Sequence, residues 1–436
     1  MLALLLTAAG AGTWAETINL SAVKASLTAQ NGDVLTGTLG TNVKISIADG
    51  ATVTLNNVTI NGNNSSSYYW AGINCEGDAV IVLTGNNTVK GFYQNYPAIH
   101  IAEGKTLTIR GDGSLTASSN GYAAGIGGGH YINCGNIVIE GGTITATGGD
   151  NAAAIGGGDS GSCGTITITN GVTAVTAIKA ETADNSIGAG YAPGTCGTIT
   201  IGGVVRENIT ESPYRYLALA DNKDNSPNIT TYNNQQADVT LKRTLQTGGW
   251  NTFCAPFSTA TPTGWTVKEL TGSSFSDGTL TLTFATASSI VAGKPYLVKV
   301  TSAVANPTYS GVTIANSTTT TETTYADFVP VMNPTNLTAG DKTVLFVSGG
   351  NKLTYPTASG NINAFRAYFR LKGAAALAPA RAFAMTFDDD ATGITTILSD
   401  EPTTANGIYT LDGRCLDGQP AEKGVYIVNG KKIVVK

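Results

Sequence analysis

Charge is scarce in this chain of 436 residues: 25 Lys and Arg stand against 30 Asp and Glu, 13% of residues are charged, and the net charge is −5. Without a basic surplus there is no electrostatic footprint for phosphates, so nucleic acid is excluded as a partner. Acidic tails are absent as well. Beyond residue 15 no run approaches the ~18 apolar residues that a membrane helix needs, so no transmembrane segment is expected. No stretch holds a helical period long enough to predict a helix. Glycine is plentiful at 54 residues, and Thr, Asn and Ser are common. Aliphatic residues recur regularly among them, which points to an all-β chain rich in turns and away from disorder. The length allows two or three domains, each with its own core.

Residues 1–15, "MLALLLTAAGAGTWA", read as a signal peptide, with an apolar run followed by Thr13 and Ala15 in A-x-A-like positions. The chain is therefore expected to be secreted or attached to the outer cell surface. The next feature is a line written twice: "AAGIGGGHYINCGNIVIEGG" from Ala123 and "AAAIGGGDSGSCGTITITNG" from Ala152. Taking the isoleucine after the small residues as a marker gives Ile73, Ile99, Ile126, Ile155 and Ile187, at steps of 26, 27, 29 and 32 residues. Each unit holds about three short alternating strands bounded by Gly, Asn and Asp, which predicts one coil of a right-handed parallel β-helix. Successive coils then stack about 4.8 Å apart, so isoleucines form an interior column and glycines recur at corners without room for a Cβ. The stack is expected over residues 16–205.

The frame C-G-x-I-x-I repeats at Cys134, Cys163 and Cys196, whereas Cys75, Cys254 and Cys415 sit in unrelated contexts. The three repeating cysteines are expected to form a buried ladder of free thiols. Their Cα atoms would be close enough for a disulfide, but Cβ vectors running side by side suit a bridge poorly.

Residues 206–237 are polar and turn-rich and read as a cap and linker. Residues 238–387 carry strands at irregular intervals, as in a β-sandwich, with Trp250, Phe253 and Phe257 assigned to its core. A linker over 388–404 and a small β module over 405–436, with turns at Asp412-Gly413 and Asn429-Gly430, complete the chain. The motifs G-I-Y-T-L-D-G-R at Gly407–Arg414 and K-G-V-Y-I-V-N-G-K-K at Lys423–Lys432 resemble the C-terminal sorting module of the type IX secretion route in Bacteroidetes. W-N-T-F-C-A-P-F at Trp250–Phe257, together with F-D-D-D before the tail, resembles a domain found between surface modules and such tails. The G-I-G-G-G coils are similar to those of β-helix surface proteins described as carbohydrate-binding. These resemblances imply delivery through a secretion machinery and a polysaccharide or host glycan as partner.

Three functions are open to such a scaffold. Cleavage of a glycosidic bond needs two carboxylates across it, and lyase chemistry needs a base with a cation beside it. The acids of the coils are few and scattered, His100 and His130 fall in different columns without an evident partner, and no catalytic set or cofactor is predicted. Asp150 and Asp184, read as equivalent turns of adjacent coils, are weak metal candidates. A binding surface is indicated by Trp70, Tyr96 and Tyr122, which precede their marker isoleucines by three, three and four residues. These would form one corner column able to stack on sugar rings, with Tyr68, Tyr69 and Tyr93 at its rim. The same column could instead close the corner of a plain structural spacer.

Overall fold

The computed structural model describes residues 15–377 and 382–389, together with the strands Ile408–Thr410, Cys415–Leu416, Gly424–Val428 and Lys431–Val435. Residues 1–14 of the expected signal peptide, residues 390–404 of the linker and the two turns of the C-terminal module lie outside them. The chain divides in space into two units. One holds the chain as far as Leu245 with Pro256–Ser258 and Val304–Asn316, and the other holds Gln246–Ala255, Thr259–Ala303 and the chain from Ser317. Asp238–Leu245 and a strand at Thr308–Thr313, which fall within the sandwich stretch of the sequence, thus belong in space to the first unit.

The first unit is a parallel β-helix. Each coil lays one strand on each of three faces, and every pairing between coils is parallel. On the first face Ile45–Ile47, Ile73–Cys75, Ile99–Ile101, Ile126–Gly127, Ile155–Gly156 and Ile187–Gly188 stack in order. Ile73, Ile99, Ile126, Ile155 and Ile187 are register partners one after another, and all are fully buried. The second face stacks Ala79–Thr84, Thr106–Gly111, Asn136–Ile139, Ile166–Ile168 and Ile199–Ile201. On the third, Asn86–Lys90, Ser114–Ser118, Thr143–Thr147 and Ala174–Ile178 follow one another. The strand Ala51–Asn61 serves both of these faces in the coil below. Alternation of inward aliphatic and outward polar residues fills a continuous core, which is the main source of stability in such a stack.

The end of the stack changes strand direction. Val204–Arg206 turns back antiparallel on Ile199–Ile201, and Tyr214–Ala220 runs antiparallel to Ala174–Ile178. Gln236–Lys242 then pairs with Tyr214–Ala220, and Thr308–Thr313 pairs with Gln236–Lys242. The third face thereby continues past the coils as a cap, with Tyr216, Leu217 and Leu219 buried in it.

The cysteine column differs from the expected ladder of free thiols. Cys163 and Cys196 are joined by a disulfide, with Cα atoms 4.6 Å apart, while Cys134 stays free and buried. Both bridged residues sit on an isolated parallel bridge at a coil corner, outside the regular strands. The spacing of stacked strands falls within the Cα range of disulfides, and at this corner the two sulfurs meet. Burial pushes the thiols of Cys75 and Cys134 up to about 12, which makes them poor nucleophiles.

The second unit is a sandwich. One sheet orders Asn251–Phe253, Tyr296–Val300, Trp265–Ser276, Thr279–Thr286 and Ala382–Phe387, and the other orders Ala326–Val331, Arg366–Leu371, Val344–Ser348 and Lys352–Thr354. Leu282, Phe284 and Leu297 of the first sheet share a core with Phe328, Leu345 and Phe369 of the second. Phe253 is fully buried and Trp250 stacks on Phe387 at 4.8 Å, so both are core residues here. Phe257 is also fully buried, but in the first unit, against Tyr309. Beyond it, Ile408–Thr410, Cys415–Leu416, Gly424–Val428 and Lys431–Val435 form a four-stranded antiparallel sheet.

The F-D-D motif has a structural role in the sandwich. The side chain of Lys268 is only 1% exposed, and its ammonium donates to Asp388 at 2.5 Å and reaches Asp389 at 2.7 Å. Asp388 also accepts from the Thr286 amide, which fastens the end of the Ala382–Phe387 strand to its neighbours. Burial disfavours the charged Lys268, but the two carboxylates outweigh it and raise its pKa. The Lys268 hydrogen bond and the Thr286 amide hold Asp388 at about 2, below its ordinary 3.8. A depressed carboxylate stabilises the fold fully above its unfolded pKa, and that contribution is lost as pH falls from about 3.8 to about 2. Asp388→Asn is therefore expected to lower the urea midpoint of the sandwich at pH 6, with the gap to wild type closing by pH 2. Equal midpoints at pH 6 would show that the clasp is not stabilising.

Candidate functional site

The aromatic residues gather where the third face turns into the first, in the loops that precede Ile73, Ile99 and Ile126. The corner column expected from sequence does not form. The Phe92 amide donates to the Trp70 carbonyl, so Trp70 meets Phe92 of the next coil, with ring centroids 5.9 Å apart. Tyr68 joins the same pair at 5.3 and 6.3 Å. Trp70 and Tyr68 are half-buried and pack on the interior, and Phe92 is buried outright. Tyr122 donates its amide to the Gln94 carbonyl and does not sit over Tyr96. The physical reason is spacing: Tyr122 stands one residue further from its marker than Tyr96 does. Tyr96 is half-buried and joins no ring pair among the described residues.

What faces solvent is a different set. Tyr69, 60% exposed, meets Tyr93 edge-on at 5.3 Å. One coil further, the loop after Ile126–Gly127 doubles back over the corner. The His130 amide donates to the Asn95 carbonyl, and the Asp159 amide donates to the Tyr122 carbonyl. This places the His130 ring between Tyr122, at 5.2 Å, and Tyr131, at 4.2 Å. Tyr131 is 73% exposed. His130 Nε2 lies 3.6 Å from Asp159 Oδ2, a partner that stands, like His130, four residues after its marker isoleucine. Asn151 Nδ2 and Ser160 Oγ also donate to Asp159.

An imidazole beside a carboxylate and a serine invites comparison with a catalytic triad, but the connectivity is wrong. Ser160 donates to Asp159 and not to the imidazole, so no base is placed to activate its hydroxyl. His100 is enclosed; burial lowers its pKa and favours the neutral ring. Asp150 accepts from Thr182 of the next coil at 3.4 Å, so Thr182 and not Asp184 is its stacked neighbour. Among the described residues no three His, Cys, Asp or Glu side chains gather in a way that could hold a metal.

The fold and this corner define a class: a parallel β-helix that carries exposed tyrosines interleaved with a histidine, an amide and a carboxylate. No family of known proteins, no curated protein and no solved structure matches the chain.

Proposed function

We propose that the chain is an exported, non-catalytic protein that holds polysaccharide or host glycan against this corner, in the manner of an adhesin. Its C-terminal module is proposed to address it to a secretion machinery. The observation that carries the reading is the run of rings over successive coils, in which exposed Tyr69 meets half-buried Tyr93 and exposed Tyr131 meets half-buried His130, itself against Tyr122. Such rings offer flat apolar faces to the C–H faces of sugars, and the Asn151–Asp159–Ser160 cluster supplies groups for hydroxyls.

Each stacking ring contributes about 0.5–1.5 kcal/mol beyond area burial. Tyr69→Ala, Tyr93→Ala and Tyr131→Ala combined are therefore expected to weaken retention on a glycan array by roughly tenfold to a thousandfold. The melting temperature should stay close to wild type, because surface substitutions usually change stability by about 0.5 kcal/mol or less. Undiminished retention would overturn the reading, and release of reducing or unsaturated sugar ends would show an enzyme. A second reading, a structural spacer, is favoured by the inward packing of Trp70 and Tyr68; a wild-type chain that no glycan retains would support it.

A further inference from the structure

The cap of the β-helix contains a pocket of about 600 Å³, walled by Arg206, Glu211, Tyr214, Arg215, Asp238 and Ser310. Its charged groups are not equally engaged. Asp238 accepts from Arg206 Nη2 at 2.5 Å, from the Tyr214 hydroxyl at 3.1 Å and from the Gly311 amide at 2.8 Å. Three donors compensate that carboxylate. Burial, with Asp238 beside it, raises the pKa of Tyr214, so its hydroxyl keeps the proton that it donates. Arg206 Nη2 also donates to Ser310 Oγ at 2.7 Å, and Arg206 Nε–H has no acceptor. Arg215 spends Nη1 on the Pro213 carbonyl at a long 3.4 Å and is half-buried. Glu211 is exposed at the rim.

We infer that this pocket binds an acidic sugar, a hydroxylated ring bearing a single carboxylate. The unspent donors of Arg215 suit a carboxylate, which a guanidinium group binds through paired hydrogen bonds, and Arg206 adds its positive charge beside them. The Glu211 carboxylate opposes a second negative charge and accepts from hydroxyls, which selects against phosphates and polycarboxylates. The volume lies within the range of small-ligand sites. This extends the glycan reading to a second site, and the two can fail separately because the variants below leave the tyrosine corner untouched.

The test is calorimetric titration of the full chain with galacturonic acid, glucuronic acid and their trimers, with glucose and citrate alongside. Saturable binding of the uronates, weakened by added salt and absent for glucose, is expected. Arg215→Gln should weaken uronate binding about tenfold or more, since a hydrogen bond to a charged group is typically worth about 1.5–3 kcal/mol. Glu211→Gln should let citrate bind. Circular dichroism shows whether each variant is folded, and Arg215, with its single long contact, is the safer of the two arginines to change. No uronate binding up to millimolar concentration, equal binding of glucose, or full binding by folded Arg215→Gln would each overturn the inference. Loss of glycan retention in the tyrosine variant with uronate binding intact would fault the corner and leave the pocket standing.

Discussion

Replacing Gly156 by alanine is expected to lower the melting temperature of the β-helix by roughly 10 °C. Gly156 follows the marker Ile155 and has φ +130°, a region that residues with a Cβ hardly enter. A Cβ there would lie 2.0 Å from the Gly188 carbonyl oxygen of the next coil, and Gly127 faces Gly156 in the same way. The obstruction is backbone, so no side chain can swing aside. Backbone strain of about 1–3 kcal/mol adds to this clash, and a total near 4 kcal/mol corresponds to about 8–16 °C for a domain of this size. Gly104→Ala is the control: its φ is +76°, and a Cβ there meets nothing within 4 Å. It should cost about 1 kcal/mol from the backbone alone. If thermal melts of the two variants coincide, the corner is not closed by contact between coils.

The same geometry shows why so much of the β-helix was legible. A coil repeats its inward and corner positions at similar spacing, so the small-residue frames before Ile99, Ile126 and Ile155, and the I-G-G-G shared by the last two, become equivalent places in the stack. Glycine marks contact between backbones, and isoleucine marks the interior. Periodicity fails where one residue is gained or lost. The extra residue before Ile126 moves Tyr122 off Tyr96, so that its amide bonds the Gln94 carbonyl and the apparent aromatic column dissolves. Phe92, the ring that does meet Trp70, carries no mark in the sequence beyond its hydrophobicity.

Side-chain partnerships across coils were harder to read. His130 and Asp159 lie 29 positions apart, the same step as Ile126 to Ile155, so the frames I-G-G-G-H and I-G-G-G-D mark them as stacked neighbours; what the frames leave open is that the loop after Gly127 brings both over the aromatic corner. Neither the length of that loop nor its Gly-Gly-Gly entry specifies the direction of the turn. The Cys163–Cys196 bridge depends on the angle between two Cβ vectors at a corner, a quantity that spacing does not encode. The cap is polar in sequence, as a linker would be, yet Tyr214–Ala220 buries every second residue or more by pairing with Ala174–Ile178. Tertiary pairing there outweighs composition.

Asn87→Ala should be about as damaging as the change at Gly156, for the opposite reason. Asn87 is 1% exposed and lies in the strand Asn86–Lys90 with its side chain turned into the interior. The register places it between Val58 and Leu115, in a column that continues with Ile144 and Val175. A polar side chain is tolerated there because both of its donor hydrogens and its oxygen find backbone partners. Asn87 Oδ1 accepts from the Val58 amide at 2.9 Å, and Nδ2 donates to the carbonyls of Thr84 and Ser114, each at 3.1 Å. Three coils are thereby stitched through one amide, where the long strand Ala51–Asn61 kinks at Asn57 and leaves Val58 without its ordinary ladder partner. Alanine would strip partners from three backbone groups at once. At about 1–3 kcal/mol for each buried group left unmade, and with some relaxation, the loss should be roughly 3–5 kcal/mol. Leucine would refill the volume yet leave the same three groups unpaired, so it should rescue little. Aspartate would keep the acceptor for Val58 but face two carbonyls with a carboxylate, and its variant should gain stability as the group protonates on acidification. Urea titrations of the three variants decide the matter: a leucine variant as stable as wild type would mean that Asn87 fills space and does not stitch the coils.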